Sequence, residues 1–295
     1  MATSRQDVLI LAPVYAREEV PTRNIELLHE LEEIGEVWVL LQVAQPNFTI
    51  GRGRIIHYSQ PLDTWGALHQ IYPEVLEYIN REPRIVVHHQ SLYFAQDTVA
   101  RLVELFQETG ISHVVACRQD LVSSLHQDPA VGLARALMEC FLTAIASITL
   151  TGKADMTPDG FTGLQAFSPE RYRLWNWDWI SKTKWGGALE SQVQSVERGF
   201  GLTFLPVPHQ QDRDWSSSLG ADRRAVVQML DKARHLPILQ NPSPEVVGRA
   251  FEEFPTAFAE QPWPNPSGTA GEVRMLLSFY NEQTEFEPYL LDTTG

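Results

Sequence analysis

Two apolar runs, Asp7-Val-Leu-Ile-Leu-Ala-Pro-Val-Tyr15 and Glu36-Val-Trp-Val-Leu-Leu-Gln-Val43, flank a segment in which Ile25, Leu28, Leu31 and Ile34 recur about one helical turn apart. After the first residue neither run contains a charge, as expected of strands covered on both faces. Gly35 supplies a stop for the intervening helix. Strand, helix and strand at this spacing form a βαβ unit, whose two strands run parallel. That restricts the chain to α/β sheets, in which ligands bind beyond the strand C-termini.

The pattern continues. Arg54–Tyr58 reads as a third strand, and Trp65–Asn80 as a helix with Leu68, Ile71, Val75 and Ile79 on one face and Pro73 in its interior. Arg84–His89 is a fourth strand, Asp97 caps a helix that stops at Gly110, and Ser112–Cys117 is a fifth strand. The second half predicts a helix near 130–149, a Gly/Asp/Pro loop and a strand over Phe161–Phe167. A stretch with Trp175, Trp177, Trp179 and Trp185 follows, then a helix over Gly187–Arg198 and a strand at Leu202–Val207. Helices are expected at 221–235, near 244–254 and at 273–280, with a proline-rich connection at 255–267. The expected architecture is a mainly parallel, mixed α/β sheet flanked by helices, with a main domain at 1–220 and a helical appendage at 221–295.

With 37 acidic against 23 basic residues the net charge is −14, which excludes a general nucleic-acid binder needing a cationic face. Two isolated cysteines, Cys117 and Cys140, make neither a disulfide framework nor a zinc site. The N-terminus carries no apolar leader, and Arg135 and Glu139 interrupt the run from Ala130 to Leu150. A soluble, cytoplasmic protein without a transmembrane segment is expected. Phosphate-loop, GxSxG and HExxH motifs are missing, and Gly51-Arg-Gly53 reads as a turn.

Candidate functional residues fall at strand and helix ends. His88-His89-Gln90-Ser91 closes the fourth strand, where adjacent side chains point to opposite faces, so one histidine is expected buried and the other exposed. Asp159, Gly160 and Gly163 precede a strand, where glycines admit close approach of a ligand. Trp185-Gly-Gly-Ala-Leu-Glu190 opens a helix on Gly186 and Gly187 and sets Glu190 in its first turn. The helix dipole is expected to keep such a carboxylate ionised, as a general base requires; a plain first-turn acid is the alternative. His209, Asp212, Arg213 and Asp214 follow Leu205-Pro-Val-Pro208.

In order, these pieces resemble the GT-A glycosyltransferases of the family 2 type. Pro13-Val-Tyr-Ala-Arg-Glu-Glu19 is similar to the family's opening strand, and Thr64-Trp-Gly-Ala-Leu through Arg84-Ile-Val-Val to the helix and strand that precede its DxD motif. Asp159–Phe167 is similar to the acceptor-side strand. Trp185–Glu190 with Glu197-Arg-Gly-Phe-Gly-Leu and Leu205-Pro-Val-Pro208 resembles the catalytic helix and the strand after it. Two positions depart from the pattern: His89-Gln90-Ser91 stands at DxD, and Gln42 where an aspartate commonly reads the nucleobase.

The resemblance implies transfer of a sugar from a nucleotide-sugar donor to an acceptor hydroxyl, of a small molecule or a glycan. Glu190 would be the base and Asp159 would orient the acceptor. The donor would lie among Pro13, Tyr15, Glu18, Gln42, Asp63, His89, Gln90 and Ser91, and the acceptor or phosphate among Gly163, Trp185, Gly186, Gly187, His209 and Arg213. Mn²⁺ or Mg²⁺ would be the family's ion, but both favour carboxylate oxygens and only His89 and His209 offer themselves, as weak ligands, so no metal site is assigned. Cations for the leaving diphosphate would then come from His89, His209, Arg213, Lys182 and Lys184, and the tryptophans near 175–185 form either a sugar-stacking wall or core. A non-catalytic protein of this fold that binds a sugar, nucleotide or protein is the main alternative. A nucleotidyltransferase is a second, for which Tyr15-Ala-Arg-Glu-Glu19 makes a poor phosphate loop.

Overall fold

The structure is a computed structural model. It describes residues 7–60, 62, 64–92, 94–118, 131–154, 160, 162–177, 187–207, 236–239 and 242–257. Among the described residues, seven strands form one sheet: β1 (Val8–Ala16), β2 (Glu36–Val43), β3 (Gly53–Tyr58), β4 (Ile85–His89), β5 (His113–Arg118), β6 (Leu164–Phe167) and β7 (Leu202–Val207). The helices are α1 (Thr22–Leu31), α2 (Thr64–Arg81), α3 (Gln96–Thr109), α4 (Val131–Thr151), α5 (Pro169–Arg173), α6 (Gly187–Glu197) and α7 (Pro244–Ala257).

The strand order is β3-β2-β1-β4-β6-β5-β7. β1 pairs in parallel with β2 and β4, and β2 with β3, as the βαβ reading requires. β6 enters antiparallel between β4 and β5, so the first five strands are not contiguous in the sheet. The expected fold class, a mainly parallel mixed sheet flanked by helices, is the one observed. Two apolar layers cover it: Val39, Leu41, Leu102 and Val114 belong to one, and Leu40, Trp65, Leu68, Val75 and Phe167 to the other. Alternate residues of β2 thus enter opposite layers, which explains its unbroken apolar run.

The chain divides into two compact units, Met1–Cys117 with Thr162–Val207, and Arg118–Phe161 with Pro208–Gly295. The sheet belongs to the first. In the second, α4 packs against α7, which accounts for the apolar run there. Arg249 donates from Nη2 to the Gly152 carbonyl (3.0 Å), and the Gly160 amide donates to Thr143 Oγ1 (3.2 Å). Among the described residues no helix is long and apolar enough to cross a membrane. The helices expected at 221–235 and 273–280 lie outside the described residues.

Gly53 opens β3 with φ +143°, and a Cβ there would stand 1.9 Å from the Val37 carbonyl oxygen of the neighbouring strand. Both backbone conformation and space require glycine. Gly53→Ala is expected to destabilise the protein by about 2–3 kcal/mol. Gly110→Ala, at φ +63° in open space, costs about 1 kcal/mol, the penalty of a left-handed residue alone. Thermal melts of the two variants check the difference.

Candidate functional site

Parallel β1, β2 and β4 end along one edge of the sheet, at Ala16, Val43 and His89. Tyr15 lies opposite Gln42 in the β1–β2 register and is 54% exposed; Glu18 is exposed, and Pro13 is buried within β1. Gln42 is itself buried, and its Oε1 accepts from the Leu62 amide (2.8 Å), tying the chain ahead of α2 to the strand end. At Val43 the backbone turns with φ 74°, and the Ala44 amide donates to the carbonyls of Gln42 and Ala16 (3.0 Å each). A γ-turn of this hand is rare, and a β-branched residue at its centre is strained. Asp63 lies outside the described residues.

At the end of β4 one expectation fails: both histidines are fully buried. His88 sits among the rings of Trp65, Phe167, Tyr172 and Trp175, its nearest ring centroid 5.0 Å away. On the opposite side His89 donates from Nε2 to the Phe94 carbonyl (2.8 Å), because the chain curls back through a short 3₁₀ turn, Gln90–Leu92. Burial lowers His88 to about 3 and His89 to about 4, so both are neutral near pH 7. His89 therefore cannot be the cation for a leaving diphosphate.

Nor do the residues at this strand end fit a divalent metal. His89 has committed Nε2, residues 89–91 include no carboxylate, and among the described residues no three His, Cys, Asp or Glu side chains gather in a cluster that could hold one. The Gln90 backbone N–H donates to the Gly163 carbonyl (3.0 Å), and a Cβ on Gly163 would lie 2.7 Å from Gln90 Cβ. Glycine at 163 thus lets β6 approach Gln90. Of Ser91 only the backbone, in the 3₁₀ turn, is described.

Gly187 has a similar cause. A Cβ there would stand 2.4 Å from ring atoms of Trp65, so α6 starts flat against that indole. Every residue of α6 from Gly187 to Ser195 is buried, and Glu190, Ser191, Gln192, Gln194 and Ser195 are polar. A polar helix in the interior is stable only if its side chains find partners. Ser191 and Ser195 find theirs on α5, β5 and β6, and Gln194 accepts the Asn176 backbone N–H (2.9 Å). His113 donates from Nε2 to Gln165 Oε1 (3.0 Å) and accepts at Nδ1 from the Ser195 hydroxyl (2.8 Å). This tautomer is required because Gln165 Oε1 also accepts from Ser191 Oγ (2.6 Å), while Gln165 Nε2 donates to the Thr162 and Ala188 carbonyls (3.2 Å each). His113 is held well below its ordinary value, chiefly by burial.

Glu190 is 5% exposed. Its Oε1 accepts from Gln194 Nε2 (2.9 Å), and Oε2 has no hydrogen-bond partner among the described residues. Burial pushes its carboxyl up from 4.5 to about 7; Glu197 adds to the shift, and Gln194 and Arg171 oppose it. The expectation of a carboxylate kept ionised by the helix dipole is therefore corrected. A helix terminus contributes about 0.3–1 kcal/mol, less than one pKa unit, and burial outweighs it.

Arg171 was not among the sequence candidates. It is fully buried, donating from Nε to Ser195 Oγ (2.7 Å) and from Nη2 to the Ser191 carbonyl (2.8 Å). Burial brings it down to about 9, which still leaves it charged at neutral pH. Its signal lay in Ser168-Pro-Glu-Arg171, an N-cap serine before a first-turn proline; Ser168 Oγ accepts the Arg171 amide (3.1 Å). Trp175 and Trp177 are buried 4.6 Å apart between ring centroids, so these two are core, not an open sugar-stacking wall. Asp159, Lys182, Lys184, Trp185, Gly186, His209 and Arg213, and Trp179, lie outside the described residues.

No family model and no curated protein sequence matches this chain. Among solved structures it is similar to glucosyl-3-phosphoglycerate synthase from Mycobacterium tuberculosis. With that protein in complex with uridine diphosphate, the identity is 16% and the TM-score 0.48, over 77% of this chain and 80% of the other. With its complex of Mn²⁺, uridine-diphosphate-glucose and glycerol 3-phosphate, the identity is 15% and the TM-score 0.46, over the same shares.

The raised Glu190 carboxyl makes the folded state the stronger proton binder. Its contribution to stability is present below about pH 4.5 and is lost as pH rises through about 7. Relative to wild type, Glu190→Gln is expected to gain stability progressively between those limits, by about 1 kcal/mol per pH unit at most, and to level off above them. Melting temperatures of both proteins across pH 4–9 test this.

Proposed function

We propose that the protein is a glycosyltransferase of the GT-A type, moving a sugar from a nucleotide-sugar donor to an acceptor hydroxyl with Glu190 as general base. The observation that carries the reading is the buried Glu190 carboxyl, pushed up to about 7, with one oxygen unpartnered among the described residues and its helix starting against Trp65. A base is most effective when its pKa lies near the working pH. Glu190 would take the proton of the acceptor hydroxyl as that oxygen bonds to the sugar's anomeric carbon. The bond from that carbon to the diphosphate then breaks, and the nucleoside diphosphate leaves with the electron pair.

The donor would lie along the C-terminal edge, where exposed Tyr15 and Glu18 and the turn after Gln42 meet. Recognition of its base by the Gln42 side chain is limited, because Oε1 is held by Leu62. No step passes through a metal, since His89-Gln90-Ser91 does not fit one. Neutral His88 and His89 leave charge neutralisation of the diphosphate to other groups, and Lys182, Lys184, His209 and Arg213 remain the candidates for it.

Incubation with a panel of uridine and guanosine diphosphate sugars, with Mn²⁺ or with EDTA, tests the reading. Sugar transfer or donor hydrolysis that survives EDTA is expected. Glu190→Gln should lower turnover by about 100-fold or more, the usual scale of a general base, while calorimetry shows donor affinity nearly unchanged. A fully active Glu190→Gln protein would remove Glu190 from the chemistry. Nucleotide binding without turnover on any donor would favour a non-catalytic binding protein.

A further inference from the structure

Arg171 is a buried cation whose described hydrogen-bond partners are all uncharged, and both contacts are to α6: the Ser195 hydroxyl and the Ser191 carbonyl. Salt-bridge partners are the usual reason for such burial. Nη1 has no hydrogen-bond partner among the described residues. Ser191 adjoins Glu190, and Gln194, which donates to Glu190, adjoins Ser195. The guanidinium therefore grips one residue beside Glu190 and one beside Gln194, the support of its carboxyl.

We propose that Arg171 is the positioning residue for Glu190: from α5 it fixes the turn of α6 that bears the carboxylate and supplies the buried positive charge that permits its ionisation.

The charges around the pair define what Arg171 must do. Glu190 feels Arg171 from α5, which favours its ionised form, and Glu197 from α6, which opposes it. Arg171 feels Arg198 beyond the end of α6, is favoured by Glu190 and by Tyr72 from α2, and itself adds to the lowering of His113 on β5. His113 is neutral and joins Arg171 only through the Ser195 hydroxyl, so it transmits position and no charge. Removing the guanidinium would leave Glu190 facing Glu197 with burial unopposed except by the Gln194 amide.

The experiment reads the carboxyl itself. Difference infrared spectra between each protein and the same protein carrying Glu190→Gln give the Glu190 midpoint. Arg171→Met is expected to raise it by more than about 0.3 units, since an opposite charge favours the ionised carboxyl and Arg171 opposes the upward shift of Glu190. Arg171→Lys should return most of that shift. Ser195→Ala, which removes a hydrogen-bond partner and no charge, should lower the melting temperature while leaving the midpoint in place. A midpoint that moves by less than about 0.3 units in folded Arg171→Met overturns the proposal and leaves Arg171 a strut.

If Arg171→Met does not fold at pH 8, folding should return at pH 5.5 or when Glu190→Gln is added, because either removes the unpaired charge. Rescue by neither also overturns it. The proposal rests on reading Glu190 as the base, but the two fail separately. A wild-type protein inactive on every donor would remove the transferase reading and leave the midpoint shift standing. An unshifted midpoint in an active enzyme would remove only the role of Arg171.

Discussion

Five polar side chains on α6 are buried, and the hydrogen bonds they make bind the sheet-bearing unit together. Gln165 on β6, His113 on β5 and Arg171 on α5 hold Ser191 and Ser195, and the Asn176 backbone N–H donates to Gln194. An apolar helix could slide or rotate on its neighbours at little cost. This one cannot, because each hydroxyl or amide that lost its partner inside the protein would cost about 1–3 kcal/mol. The result is a helix held to one register, with Glu190 in its first turn. Cooperative networks of this kind trade tolerance for definition.

Strand and helix identities were legible because two periodicities separate cleanly in the first half of the chain. β2 alternates its residues between two apolar layers, and α1 and α2 repeat theirs about once per turn. The place of β6 was not legible. Four residues, Leu164-Gln-Ala-Phe167, carry no directional signal, and only the pairing with β4 and β5 makes the strand antiparallel. Sheet order is decided by contacts between segments remote in sequence.

The candidate site was legible in outline and not in its electrostatics. Strand ends located Tyr15, Gln42 and His89, and a first-turn acid located Glu190. Their charge states depend on burial, which local sequence does not report. His89 looked like a cation and is neutral because burial outweighs the Phe94 carbonyl, which on its own would favour the charged ring. Arg171 was not legible, because Ser168-Pro169 marks the start of a short helix and reports nothing of burial, yet it is fully buried, like the two histidines. Two glycines taken as room for a ligand turn out to be room for Gln90 and for Trp65.

The contact between Gly187 and Trp65 also bears on how the sequence can drift. An indole lies where any side chain at 187 would have to begin, so the two positions share one volume. While tryptophan occupies 65, position 187 is closed to every residue except glycine. A smaller residue at 65 would open 187, yet would also loosen the floor on which α6 rests. Substitutions at these two sites, more than a hundred residues apart in the chain, are therefore expected to arise as a pair across descendants, and each alone to be purged.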